Sequence, residues 1–290
     1  MSRTQDEGTD RCITALVPLK NYHPQYLRQS IDSLYAQTSG DWRLLVIVEP
    51  HDVEKFQAML AWALLDPRAK LIPNKGHGLP GAFNSGMYAA ETEFVAILLS
   101  DDMWEPHAVE TLRANILAHS EVDLFHSGRR KIDGDGQPIS QVYFQREAVT
   151  LEEFVWKSPV KHLICWRRSK GLSCGGMDET LTTSGPDDYD FPWTMLEHGA
   201  VIRAIHDCLY IYRDHREAFR HTTHIPRSVH LHDLRHILNK HRVSPSLIRR
   251  RLRHSKRGYL RQCLYRNELD RRIKLWLGFD ERRGWRETYI

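Results

Sequence analysis

The chain has 290 residues, enough to bury a full-sized core without disulfide or metal staples, and it suits one large α/β domain or such a domain with an appendage. There is no run of eighteen apolar residues, and the opening Met-Ser-Arg-Thr-Gln-Asp-Glu-Gly is polar, so no membrane span or secretory signal is expected and the cytoplasm is the expected compartment. The net charge of +4 hides an asymmetry: residues 226–290 carry 18 Lys+Arg against 6 Asp+Glu, leaving 23 against 31 in the body, so a basic tail is expected to meet an anionic surface or to form a solvated helical face.

From Cys12 onward, short β-branched runs alternate with segments of helical period, the pattern of βαβ units around a mostly parallel sheet. The first strand is Ile13–Leu19. A helix opens near Pro24, buries Leu27, Ile31 and Leu34, and ends at Ser39-Gly40. Leu44–Glu49 is the second strand, followed by a helix from about Asp52 to Leu65, a short strand at Lys70–Ile72 and a glycine-rich loop at Lys75–Gly81. Phe94–Leu99 reads as a buried strand ending in Ser100-Asp101-Asp102, and Pro106 opens a helix with Val109, Leu112 and Ile116 on one side. Val122–His126 is a further strand, Asp133-Gly-Asp-Gly136 a hairpin turn, and Phe191–His198 a helix closed by Gly199. Past a soft boundary near residue 225, Leu247, Ile248, Leu252, Leu260, Leu264, Leu269, Ile273 and Trp276 are spaced for one apolar helical face.

Two acidic clusters carry the chemistry. Asp101 and Asp102 lie just past a strand's carboxyl end, where open α/β sheets bind ligands, and two adjacent carboxylates repel unless a cation or backbone donors offset them. Mg²⁺ or Mn²⁺, held by one or two carboxylates plus substrate phosphates, would do so; helix capping by Asp102 is the competing reading. Asp187 and Asp188, in Gly185-Pro-Asp-Asp-Tyr-Asp190, read equally well as caps of the following helix or as a general base.

Other chemistries lack their parts. The five cysteines (Cys12, Cys165, Cys174, Cys208, Cys263) are odd in number and widely spaced, so reduced thiols are expected rather than disulfides or a cysteine zinc site. His221-x-x-His224 and His230-x-His232 lack the partners that complete a tetrahedral zinc set. No G-x-x-x-x-G-K-[ST] motif occurs, which removes the mechanical basis of a kinase-like reading.

Taken in order, the segments resemble the family 2 glycosyltransferases, inverting enzymes of the GT-A fold that use nucleotide-diphosphate sugars. ALVPLKNYHPQYLRQSIDSLYAQTSGDWRLLVIVE is similar to the family's opening strand, helix and strand. NKGHGLPGAFNSGMYAAETEFVAILLSDDMWEP is similar to its N-x-G…A-x-N-x-G…D-S-D-D-x-x-x-P region. CGGMDETL resembles its G-G-F-D-E-x-L turn, PDDYDFPWTMLEHG its E-D-Y-D helix, and LYIYRDH its closing strand.

The resemblance implies a GT-A catalytic domain over 11–225, preceded by a polar tail at 1–10 and followed by a basic helical region at 226–290. It implies that Pro18, Leu19, Asn21, Glu49, Lys75, Asn84, Asp101 and Asp102 bind the nucleotide sugar. Asp101, Asp102 and His215 would hold Mn²⁺ or Mg²⁺; Asp178, Glu179 and Asp187 would meet the acceptor or donor sugar; Asp188 would be the base. Two departures stand out: Leu99 occupies the first Asp of the family's D-x-D, and Glu49-Pro50 replaces the usual Asp-Asp, which makes UDP a default base. With no Q-x-x-R-W motif, single sugar additions are expected, to a glycan or lipid-linked acceptor in cell-surface polysaccharide or lipopolysaccharide assembly. A nucleotide-sugar-binding protein with impaired catalysis is the alternative. For the tail, docking on an anionic membrane surface is favoured over nucleic-acid contact by Arg249-Arg250-Arg251-Leu-Arg253 and Tyr259.

Overall fold

A computed structural model describes residues 12–144, 149–181, 185–215 and 227–265. Its centre follows from continuous apolar runs, which need burial on both faces and therefore become inner strands of a parallel sheet. β1 (Ile13–Leu19) lies between β2 (Trp42–Val48) and β4 (Phe94–Ile97), and β3 (Ala69–Pro73) flanks β2, all four parallel. Beyond β4 the sheet changes sense: β7 (Ile164–Arg167) is antiparallel to both β4 and β6 (Leu124–Ile132), β8 (Ile202–Arg213) runs parallel to β6, and the two-residue β5 (Met103–Trp104) pairs antiparallel with β8. The order across the described sheet is β3-β2-β1-β4-β7-β6-β8-β5.

Helices cover both faces. α1 (Pro24–Tyr35), α2 (Val53–Met59), α3 (Ala61–Leu64) and α5 (Ala108–Ala118) close one core with Leu27, Phe56, Ala63 and Val109. On the other face lie α4 (Gly78–Ala89), α6 (Leu151–Trp156), α7 (Arg168–Ser173), α8 (Phe191–Glu197), α9 (Arg227–Lys240) and α10 (Pro245–Tyr265), with Phe83, Phe154, Phe191, Leu234 and Ile248 in the second core.

Three elements differ from the sequence expectation for physical reasons. The single helix expected over 52–65 is a 3₁₀ turn at Pro50–Asp52 followed by α2 and α3; the break at Leu60 turns that side chain into the core beside Phe56 and Ala63. The glycine-rich loop expected at 75–81 becomes helical from Gly78, because Pro80 sits in the first turn, where a missing N–H costs nothing. Within α4, Gly86 allows close packing on β1: a Cβ there would come within 2.9 Å of Leu16. The strand expected at 122–126 begins at Leu124 and continues to Ile132 through a register irregularity at Gly128, its basic end held by Arg130 on Glu105 and Arg129 over the Tyr212 ring.

The boundary near residue 225 and the tail 1–10 lie outside the described residues, as do His221, His224, Leu269, Ile273, Trp276 and the side chains of Tyr259, Leu260, Cys263 and Leu264. Of the expected apolar face, Ile248 and Leu252 are buried in the second core and Leu247 packs against it, together with Leu234, Ile237 and Leu238 of α9. Cys165, Cys174 and Cys208 are free thiols. Among the described residues no helix is long and apolar enough to cross a membrane.

A buried imidazole on β6 lacks compensation. His126 on β6 is fully buried, and neither ring nitrogen has a hydrogen-bond partner among the described residues. Burial pushes its pKa down to about 4, with the Lys161 charge acting in the same direction. The unfolded imidazole binds a proton near pH 6.5 and the folded one resists until about 4, so stability is lost as pH falls through that window, by about 3 kcal/mol. His126→Leu is expected to flatten this share of the acid sensitivity, seen as urea midpoints that fall less between pH 7.5 and 4.5 than in the parent. An unchanged pH dependence would clear His126 of the role.

Candidate active site

The parallel half of the sheet brings the proposed nucleotide residues to one edge. Pro18, Leu19 and Asn21 end β1, Glu49 ends β2, Lys75 follows β3, and Asp101 and Asp102 follow β4, so all lie at carboxyl ends of neighbouring strands. Asn21 and Lys75 are exposed, Pro18 and Glu49 half-buried and Leu19 buried. Asn74 organises the rim: its amide donates to Gly78 O at 3.2 Å and Glu49 Oε1 at 3.4 Å, while its own Oδ1 accepts from Gly76 N at 2.9 Å.

The two carboxylates after β4 have different surroundings. Asp101 is half-buried, and its Oδ2 lies 3.1 Å from His215 Nε2, with the His215 ring against Tyr26. Asp102 is turned inward: Oδ1 accepts from Arg213 N and Oδ2 from Tyr210 Oη, each at 2.8 Å, with 1% of the residue exposed. Both oxygens of Asp102 therefore have hydrogen-bond partners within the fold. The capping expected of Asp102 is absent, since α5 starts at Ala108 with no side-chain cap. Burial, and then the Asp101 charge, push the Asp102 pKa up to about 7. Arg213, itself buried, ties this end together by donating to Asp101 O at 3.0 Å and Gln29 Oε1 at 2.6 Å while its guanidinium stacks over Tyr26.

As a cation site the place offers a short donor set. Asp101 and His215 are paired, and among the described residues no group of three or more His, Cys, Asp or Glu is arranged to hold a metal. One carboxylate and one imidazole fit a hard divalent ion that takes its remaining ligands from a diphosphate and water.

The second acidic cluster forms a π-helical turn, Pro186–Asp190, closed by Asp190 N donating to Gly185 O, with Gly185 in the left-handed region at φ 64°. The three carboxylates of the turn have separate fates. Asp187 is buried against His162, Nε2 to Oδ2 3.0 Å. Asp190 is buried between Lys240 Nζ at 2.6 Å and His241 Nε2 at 3.1 Å, with His241 stacked on Trp193 at 4.0 Å. Asp188 is half-exposed and its carboxylate makes no hydrogen bond among the described residues, although its backbone O accepts from Ser158 Oγ. Burial opposes the charge on Asp187, but the His162 hydrogen bond and charge outweigh it and hold that carboxyl below its usual range.

Asp178 and Glu179 also work within the fold. Asp178 Oδ1 accepts from Thr180 at 2.6 Å and Oδ2 lies 3.3 Å from both His236 and Lys240; burial disfavours its charge, yet these partners hold its pKa well below the ordinary carboxylate value. Glu179 clamps the start of α4, accepting from His77 N at 2.7 Å and Asn84 Nδ2 at 2.8 Å. Asn84 also holds both backbone groups of Met177. A Cβ on Gly76 would fall 2.6 Å from the Glu179 carboxylate, and one on Gly81 2.5 Å from Gly76 C, so the clamp depends on both glycines. The structure thus brings Asp101 and His215 together, gives Asp102, Asp178, Glu179, Asn84 and Asp187 protein partners, and leaves the Asp188 carboxylate without one among the described residues. Tyr210, Arg213 and His162 were missed; the first two lie in the closing-strand segment LYIYRDH, whereas no pattern marks His162.

The pattern of glycosyl transferase family 2 matches residues 14–172, which contain β1–β4, the Asp101–Asp102 loop and β7. Among similar curated proteins, an uncharacterised glycosyltransferase of Nostoc sp. is 32% identical over 134 residues, 44% of this chain and 40% of that protein. The succinoglycan biosynthesis protein ExoW of Rhizobium meliloti is 35% identical over 98 residues, 32% of this chain and 30% of its own length. The chain therefore spans well under half the length of these relatives. Residues 1–349 of S. aureus TarS, solved in complex with UDP-GlcNAc, superpose with a TM-score of 0.62 at 18% identity, covering 83% of this chain and 71% of that one, and share the fold. By the match over more than half its length, the chain belongs to glycosyl transferase family 2.

Proposed function

We propose that the protein transfers a single sugar, with inversion, from a nucleotide-diphosphate sugar to a hydroxyl of a glycan or lipid-linked acceptor. The observation that carries this reading is the sorting of carboxylates in the Pro186–Asp190 turn: Asp187 is buried against His162 and Asp190 against Lys240, whereas Asp188 is half-exposed and its carboxylate has no hydrogen-bond partner among the described residues. In this role Asp188 removes the proton from the acceptor hydroxyl as that oxygen attacks the anomeric carbon, and the nucleoside diphosphate departs. Asp101 and His215 would hold Mn²⁺ or Mg²⁺. Such an ion supplies charge neutralisation for the leaving diphosphate. Asp102, Tyr210 and Arg213 keep Asp101 in place from beneath.

The edge formed by 18–21, 49 and 75 is the proposed seat of the nucleotide. A UDP-sugar is favoured because the superposed TarS structure was solved with UDP-GlcNAc, and a polysaccharide acceptor because ExoW serves succinoglycan biosynthesis. The proposed contact with an anionic membrane surface takes a changed form. Ile248 and Leu252 of α10 are buried in the protein core, so Arg249, Arg250, Arg253 and Lys256, all exposed, would act through charge rather than insertion.

Three outcomes are expected. Asp188→Asn lowers turnover on the order of 10²–10⁴-fold while UDP still raises the melting temperature; transfer at the parental rate would sink the base assignment. In a thermal-shift screen of nucleotide sugars with Mn²⁺, the donor at about 100 times its Kd raises Tm by about 5 °C or more, and Asp101→Ala abolishes the Mn²⁺-dependent part. A shift of equal size with and without Mn²⁺ in the parent would remove the ion from the proposal. Vesicles rich in anionic lipid co-sediment the protein at low salt and release it at high salt, and Arg249→Glu with Arg253→Glu prevents binding; salt-independent sedimentation would contradict a charge-based contact.

A further inference from the structure

We infer that His162 is a positioning residue for the proposed transfer, holding the turn that presents Asp188 and joining it to the Asp101–Asp102 end of the sheet. The inference rests on the reading of Asp188 given above.

His162 lies two residues ahead of β7 and is buried, 5% exposed. On one side its Nε2 meets Asp187 Oδ2 at 3.0 Å. On the other its ring stacks on Tyr210, with centroids 5.4 Å apart and planes at 28°, and Tyr210 Oη donates to Asp102. One buried imidazole therefore contacts both the residue before the proposed base and the tyrosine beneath the proposed donor site. Asp187 and Tyr210 lie 23 positions apart in the chain, and this one ring touches both.

The electrostatics follow the same line. Burial alone would lower the His162 pKa, but the hydrogen bond and charge of Asp187, with the Asp188 charge adding to them, raise it above the ordinary imidazole value. The field of His162 also acts on Asp102, in the direction that favours its ionised form.

Removing the imidazole would leave Asp187 as a buried carboxylate without its hydrogen-bonded partner, and such a group must protonate or move toward water. Asp187 is adjacent to Asp188 in a turn whose backbone contacts include Asp190 N to Gly185 O and Ser158 Oγ to Asp188 O. Movement of Asp187 would carry Asp188 with it. A displacement of about 1 Å costs about 100-fold in rate when it misplaces a reacting group. His162 itself touches no proposed substrate atom, and its effect is on where Asp188 stands.

The test compares His162→Gln, whose amide nitrogen reaches the place of Nε2, with His162→Asn, which falls short of it, and His162→Phe, which keeps the stack and loses the hydrogen bond. UDP release is followed with Mn²⁺ and the UDP-sugar giving the largest thermal shift, starting with UDP-GlcNAc, beside Asp188→Asn. His162→Phe and His162→Asn are expected to lose about 100-fold in kcat with donor KM and the UDP thermal shift changed less than about threefold. His162→Gln is expected to recover at least about tenfold of that loss. If His162→Phe does not fold, the Gln and Asn pair decides alone, and equal kcat for the two overturns the inference. A loss confined to donor KM overturns it as well. Parental kcat in His162→Phe, alongside an inactive Asp188→Asn, overturns the inference and leaves the base assignment standing, whereas a fully active Asp188→Asn overturns both.

Discussion

A carboxylate cut off from water governs the arrangement of the candidate site. Asp102 accepts one hydrogen bond from the backbone of Arg213 and one from the hydroxyl of Tyr210, and so fastens the end of the parallel half of the sheet to β8. A buried acid is costly unless its oxygens are satisfied, and here both are, which makes the join hard to shift. Asp101 inherits its position from that join. Its neighbour points inward, so its own carboxylate is left at the rim facing His215.

The same economy operates in the Pro186–Asp190 turn. Local sequence places three acids within four residues, and only their long-range partners tell them apart: His162 from the loop before β7, Lys240 and His241 from the end of α9. The basic C-terminal part is thus not merely an appendage. Lys240 bridges Asp178 and Asp190, and His241 stacks on Trp193 while bonding both Asp190 and Glu197, so α9 braces the segment that carries the proposed base.

The sequence made the strands legible where burial is two-sided, as in Ile13–Leu19 and in Leu44–Glu49, which the structure shifts to Trp42–Val48, because a continuous apolar run has few other uses. It also placed the acidic clusters correctly with respect to their elements, Asp101 past a strand end and Asp187–Asp188 ahead of a helix. It could not assign tasks within a cluster. Whether a carboxylate such as Asp102, Asp178 or Glu179 meets a ligand or the protein depends on residues up to 111 positions away, and neither periodicity nor motif spacing encodes those meetings. The start of α4 was hidden for a related reason: Gly78 and Pro80 look like breakers, and only the geometry of a first helical turn makes the proline harmless.

The Glu179 clamp has a consequence for how this chain can change over time. Gly76 and Gly81 approach each other so closely that neither has room for a side chain, and the Glu179 carboxylate bonds His77 N and Asn84 beside them. Asn84 in turn fills the space that a side chain on Gly176 would need, where the backbone is left-handed. Gly76, Gly81, Asn84, Gly176 and Glu179, from two distant stretches of sequence, therefore form one mutational unit. Drift at any one of them meets the others, so the glycine-rich rim and the Gly-Gly-Met-Asp-Glu turn can only be inherited, or lost, together.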